Sequence, residues 1–171
     1  CKEEKVIAFF RQRMECSLDV ATILARLCCD KGSLPQGSAS SPIMSYWAYS
    51  EMWDAIHDIA ASAGNTFTVY IDDLTVSGNV VSKKTTWEIR KQIHKHGLSL
   101  KTRKTKWIIG KPADVTGVIV ASDVLLLPNR QHKKLAQAQA EFSKPGGNRK
   151  RKLNVLRGRK AQAGQIIYHQ P

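Results

Sequence analysis

The stretch "FTVYIDDLTVSG", residues 67–78, switches the apolar pattern of the chain to a period of two. Phe67, Val69 and Ile71 alternate with polar positions before Asp72, and Leu74 and Val76 alternate after Asp73. Side chains on a strand point alternately to opposite faces, so the pattern predicts a hairpin with two adjacent aspartates at or beside its turn. Aspartate tolerates turn geometry, which removes the need for a glycine there. Adjacent carboxylates repel each other, and held on a rigid β support their oxygens suit a hard cation such as Mg²⁺. The ion replaces repulsion with attraction and can neutralise charge on a transferring phosphate. A solvated acidic turn is the other reading of the same pair.

Outward from the hairpin the period is helical. Upstream, Lys2 to Met14 carries Val6, Ile7, Phe9 and Phe10, and Ser17 is placed to cap a second helix bearing Val20, Ile23, Leu24 and Leu27. The loop "GSLPQGSASSP" then leads into a third helix, with Ser41 as N-cap and Pro42 at the first helical position. Met44, Ala48, Met52, Ala55, Ile56 and Ile59 form its apolar stripe, and Gly64-Asn65 stops it. Downstream, Ser82 to His96 reads as a helix ended by Gly97, and "KWIIG", "VTGVIVA" and "DVLLLP" read as short strands closed by Pro128. Beyond Pro128 come a polar helix from Asn129 to Phe142, a break at "SKPGGNRKRK" and a basic stretch from Leu153 to Tyr168. The domains expected are therefore 1–128 and 129–171.

The chain of 171 residues carries a net charge of +13, with 27 Lys and Arg against 14 Asp and Glu. A balance so far from neutral favours a polyanionic partner, nucleic acid before others, over a merely solubilising surface. No apolar run approaches the ~20 residues of a membrane span, so no membrane partner is expected. Cys1, Cys16, Cys28 and Cys29 lack CxxC spacing, and thiols in a reducing compartment without a signal peptide are expected. Cys1 stands where a methionine would, with a helical pattern already running, and this predicts a chain that starts inside a larger protein.

Leu34-Pro35-Gln36-Gly37 with Ser41-Pro42, followed by Tyr70-Ile71-Asp72-Asp73, resembles the reverse transcriptase family. The likeness continues in Lys104-Thr105, which matches the family's Lys-Thr pair, and in "VTGVIV", similar to a Val-Thr-Gly element of bacterial retron-type enzymes. "LRGRKAQAGQIIYHQP" resembles the retron thumb. The resemblance implies an α+β fold, a palm with helices on one face of an antiparallel sheet followed by the start of a helical thumb. It implies an RNA-directed DNA polymerase acting on dNTPs, an RNA template and a DNA primer, in a bacterial cytoplasm. A cognate non-coding RNA and a role in phage defence follow from the retron likeness. A group II intron-type enzyme and a nucleic-acid-binding relic without catalysis are the alternatives.

By position in these motifs, Asp72 and Asp73 are the expected catalytic and Mg²⁺-binding pair, and Gln36 and Gly37 are expected to line the nucleotide and template site. Gly37 permits close backbone approach, and Gln36 offers a donor and an acceptor; a plain helix-entry turn is the other reading. Tyr70 is expected opposite Val69, under a primer end or as an ordinary cross-strand aromatic. Lys104 is placed to meet a phosphate. Arg149, Lys150, Arg151, Arg157 and Arg159 have no acid among them and suit a nucleic-acid backbone, unless the tail is a disordered basic linker.

The resemblance also implies a third aspartate, on a strand upstream of Leu34, completing a two-metal site. No residue of this chain matches it: "VIAFF" aligns with the helix after that strand. With two of three ligands, the expectation is weak Mg²⁺ binding and no polymerisation by this chain alone. Lys101 replaces an asparagine common before the Lys-Thr pair.

Overall fold

The computed structural model describes residues 1–121 and 124–167. It is an α+β fold that divides into two compact units, Cys1–Thr105 and Lys106–Pro171, each with its own core.

The first unit opens with α1 (Glu3–Gln12) and α2 (Leu18–Cys28), packed against each other. Ser17 caps α2 as its sequence predicts, its Oγ accepting from the Val20 N–H at 3.5 Å. The packed face differs from the one the large apolar residues suggest. Ala21 and Ala25 are buried, whereas Val20, Ile23 and Leu27 are exposed. Small side chains let the backbones of two helices approach closely, and here that contact is made instead of burying the bulkier stripe.

The third helix expected from the sequence is two helices, α3 (Ser41–Ala48) and α4 (Ser50–Ser62), broken at Tyr49. Tyr49 leaves helical geometry at φ −116°, ψ 20°, and its ring is buried in the core. The cap also differs: Ser40 holds the N-cap position, while Ser41 is already helical and its Oγ donates to the Pro35 carbonyl at 2.6 Å. Gly64 and Asn65 end α4 as expected, with Gly64 at φ 68° and the Asn65 N–H returning to the Ala60 carbonyl at 2.9 Å.

Strands β1 (Thr66–Tyr70) and β2 (Asp73–Ser77) form the predicted antiparallel hairpin, and α5 (Lys83–Lys95) follows. The Ser82 Oγ caps α5 by accepting from the Thr85 N–H at 3.0 Å. Phe67, Leu74 and Val76 pack onto a core of Tyr49, Met52, Ile56, Ile89 and Ile93. The hairpin therefore rests on α4 and α5 by one face and shows the other to solvent. Aromatic rings continue this packing, since Trp53 stacks between Tyr46 and Phe67 at centroid distances of 6.4 and 6.1 Å.

A single 3₁₀ turn at Thr102–Lys104 closes the first unit. "KWIIG" was expected as a strand and is not one: residues 106–110 are irregular and exposed. An apolar β-branched run has strand propensity, but a strand exists only with a partner to complete its ladder, and no described strand pairs here.

The second unit holds β3 (Ala113–Val115), β4 (Val118–Ala121) and β5 (Val124–Leu126) as an antiparallel meander, then α6 (Asn129–Ser143) and α7 (Arg149–Ile167). "VTGVIVA" is thus a hairpin rather than one strand. Thr116 and Gly117 take φ of 47° and 93°, the left-handed pair of a type I′ turn, and Val115 pairs with Val118 across it. Arg130 reaches the Asp114 carboxylate at 3.2 Å and the Gln131 amide donates to the Gly117 carbonyl at 3.1 Å, tying that turn to α6. Leu127, Ala163 and Ile166 form the small core, with Val118, Leu125 and Leu135 against it.

Helix α7 starts at Arg149, inside the run read as a break. Asn148 explains the early start, because its Oδ1 accepts from the Arg151 N–H at 3.0 Å in the manner of an N-cap. The basic tail is therefore helical over residues 149–167, not a disordered linker. Asp123, at the start of "DVLLLP", and Tyr168 lie outside the described residues.

Candidate active site

The β1–β2 register pairs Thr68 with Thr75, Val69 with Leu74, and Tyr70 with Asp73. Two residues, Ile71 and Asp72, are left to make the turn. Asp73 is thus the first residue of β2 and Asp72 the second of the turn, both exposed. Tyr70 is 61% exposed on the solvent face, directly across the ladder from Asp73. Directly opposed residues hold their Cβ atoms about 5 Å apart, so phenol ring and carboxylate share one small patch.

Ile71 does not share the buried face of Phe67 and Val69, as alternation suggested. It has left the strand at φ 58° and is 55% exposed. A β-branched residue in the left-handed region is a backbone outlier and costs on the order of 1 kcal/mol or more. The two aspartates beside it are exposed at the tip. Ile71→Gly is expected to raise hairpin stability by roughly 0.5–1 kcal/mol, the relief exceeding glycine's entropic cost. A thermal midpoint that falls in this variant would contradict the strained-turn reading.

Neither Asp72 nor Asp73 has an ion-pair or side-chain hydrogen-bond partner among the described residues. Their oxygens are the hard donors that Mg²⁺ takes, and among the described residues no lysine or arginine pairs with them. Among the described residues no group of three or more His, Cys, Asp or Glu is gathered to hold a metal ion. The pair is a partial donor set, fitting a hard cation that completes its shell with further oxygens.

The LPQG loop lies in the same unit. Gly37 has φ 87° and nothing within 4 Å of where a Cβ would stand, so its backbone is open to approach. Gln36 beside it is exposed. The loop is fixed at both ends: the Leu34 N–H donates to the Cys1 carbonyl at 2.9 Å, and Ser41 holds Pro35. Lys104 ends the 3₁₀ turn, exposed and without an ion-pair partner among the described residues. Among the described residues no ion pair joins Gln36 or Lys104 to the aspartates; the hairpin is joined to α4 through Trp53.

On α7, Arg149, Lys150, Arg151 and Arg157 are exposed, and Arg159 is half-buried with its guanidinium donating to Gln162 at 3.3 Å. Arg149 also lies over the Phe142 ring, 5.7 Å from its centroid. Lys152 differs from its neighbours. Its ammonium donates to the carbonyls of Lys144 and Gly146 at 3.1 and 2.7 Å, bracing the α6–α7 turn. Within a uniform basic run the sequence carries no signal that sets this lysine apart.

Comparison with known proteins finds a similarity to a retron enzyme. The chain is 30% identical over 121 residues to the Retron Ec86 reverse transcriptase of Escherichia coli, covering 68% of this chain and 37% of that protein. That similarity supports the reverse transcriptase family. No family model matches the chain. The chain spans little more than a third of the length of the reverse transcriptase it matches. Among the described residues no helix is long and apolar enough to cross a membrane.

Proposed function

We propose that the protein of which this chain forms at least a part is a retron-type RNA-directed DNA polymerase, with residues 1–128 in its palm and 129–171 beginning its thumb. The observation that supports this most is the exposed Asp72–Asp73 pair at a strained hairpin tip, without an ion-pair partner among the described residues. Asp72 and Asp73 would hold Mg²⁺, which when bound supplies charge neutralisation at a transferring phosphate. Tyr70, across from Asp73, offers a ring against which a primer terminus packs. Gln36 and the open backbone at Gly37 orient the incoming nucleotide or template, and Lys104 meets a phosphate. RNA template, DNA primer and dNTPs are the substrates, a cognate non-coding RNA the partner, and phage defence in a bacterial cytoplasm the setting.

Template-primer extension tests the reading on protein made from its complete reading frame. Incorporation of dNTPs that requires Mg²⁺ and the two aspartates supports it. The partial donor set favours a second reading, a nucleic-acid-binding relic, for which binding without incorporation is the expected outcome.

The α7 surface makes a separate prediction. Lysines and arginines that neutralise phosphates release counterions, so affinity falls steeply with salt. Replacing Arg149, Lys150 and Arg151 by glutamine is expected to reduce the slope of log affinity against log salt by about 2 to 3. Anisotropy titrations on an RNA–DNA duplex across a salt series measure it. An unchanged slope would remove these three residues from the contact.

A further inference from the structure

The outward face of α5 carries a cluster that the catalytic reading does not use. Trp87 stands at its centre, 60% exposed. On a helix the neighbours of a residue lie three and four positions away. For Trp87 those four are Lys83, Lys84, Arg90 and Lys91, every one a cation. Lys83, Lys84 and Lys91 are exposed, and Lys95 continues the row one turn further on. The one acid on the helix, Glu88, pairs with Lys91 at 2.8 Å. Lys83, Lys84 and Arg90 have no carboxylate partner among the described residues.

The opposite face of the same helix fixes the cluster in place. Thr85, Ile89 and Ile93 are buried, the two isoleucines against Met52 and Ile56. Ser82 and Gly97 close the ends, so 13 residues hold a rigid row about 20 Å long. A large aromatic ring ringed by cations on a rigid, solvent-facing helix is complementary to an anionic partner with a flat apolar surface.

We propose that this face of α5 binds single-stranded nucleic acid, with an unpaired base stacked on Trp87 and the flanking phosphates met by Lys83, Lys84, Arg90 and Lys91. Aromatic stacking combined with a positive track is how single strands are held without sequence preference. A duplex keeps the faces of its bases inside the stack, so it offers phosphates to the lysines but nothing to Trp87. An anionic membrane is a poorer match, because the apolar face of α5 is committed to the core and one ring cannot replace it. The site concerns binding only, and it stands whether or not the protein polymerises.

Photocrosslinking of this chain to a 12-nucleotide RNA carrying 5-iodouridine, followed by peptide mapping, reads the contact directly. A crosslink within residues 83–95 that is lost on Trp87→Ala is expected. Anisotropy with the same RNA, in a background where Arg149, Lys150, Arg151, Arg157 and Arg159 are glutamine, is expected to show weakening of about tenfold for Trp87→Ala. Trp87→Phe should restore most of that affinity, and Lys83→Gln with Lys84→Gln should weaken binding several-fold. Trp87→Ala should leave affinity for a 12-base-pair RNA duplex within about twofold. Circular dichroism confirms that each variant is folded; if Trp87→Ala is not, the lysine pair carries the test. Equal affinity of all variants for the single strand, or no crosslink on α5, overturns the proposal. Trp87-dependent binding to phosphatidylserine vesicles without binding to the RNA overturns it in favour of a lipid surface.

Discussion

Replacing Asp72 and Asp73 together by alanine is expected to lower primer extension by the whole protein about 10³-fold or more, while leaving its thermal midpoint nearly unchanged. The two halves of this expectation have separate causes. Mg²⁺ contributes several kcal/mol to stabilising charge that develops on a transferring phosphate, and each 1.36 kcal/mol is a factor of ten in rate. Removing the carboxylates removes the donors that would hold the ion. Stability is spared because both residues are exposed at a turn and make no ion pair among the described residues. Surface substitutions of that kind stay within about 0.5 kcal/mol. Deleting two neighbouring like charges also relieves their mutual repulsion. Incorporation measured on a defined RNA template with and without Mg²⁺, beside a melting curve, checks both halves. Equal incorporation by the two proteins would refute the assignment of the aspartates. Lost incorporation with a collapsed midpoint would show that the hairpin had been damaged instead.

The chain signals its local breaks and hides its non-local ones. Ser17, Ser82, Gly64 and Gly97 mark helix ends through hydrogen bonds made within a few residues, and all four do so in the structure. The hairpin was readable because alternation around Asp72 and Asp73 is a local pattern. Its turn residue was not, since isoleucine is among the least suited residues for φ 58° and nothing in its neighbourhood announces the strain. The same limit explains "KWIIG", whose propensity is strand-like but whose partner is a matter of tertiary structure. The α2 face was hidden for a different reason. Hydrophobicity ranks Ile23 and Leu27 above Ala21 and Ala25, while close helix packing ranks them the other way. At the site, the pairing of Tyr70 with Asp73 needed the register, which the sequence bounds but does not print.

Ile56→Ala is expected to destabilise the first unit by about 3 kcal/mol, within the range of 2–5 for deleting a buried isoleucine side chain. Ile56 has no exposed surface and sits where α4 meets Ile89 and Ile93 of α5 beneath the hairpin. Truncation there loses the transfer energy of three carbons and leaves a cavity that two helices and a hairpin cannot easily close. Ile23→Ala removes the same atoms from a position 59% exposed and is expected to change stability by no more than about 0.5 kcal/mol. For a unit of this size the first substitution corresponds to a midpoint lower by about 12–24 °C, and the second to a few degrees at most. Calorimetry on the two variants compares them directly. The contrast discriminates between folds as well as residues. If α2 instead packed through its Ile23 and Leu27 stripe, the two substitutions would cost similar amounts. If they differ as expected, the platform under the Tyr-Ile-Asp-Asp tip is the one built by α4 and α5. Ile56→Ala should then also loosen that tip, seen as faster amide exchange in β1 and β2, with both aspartates still present.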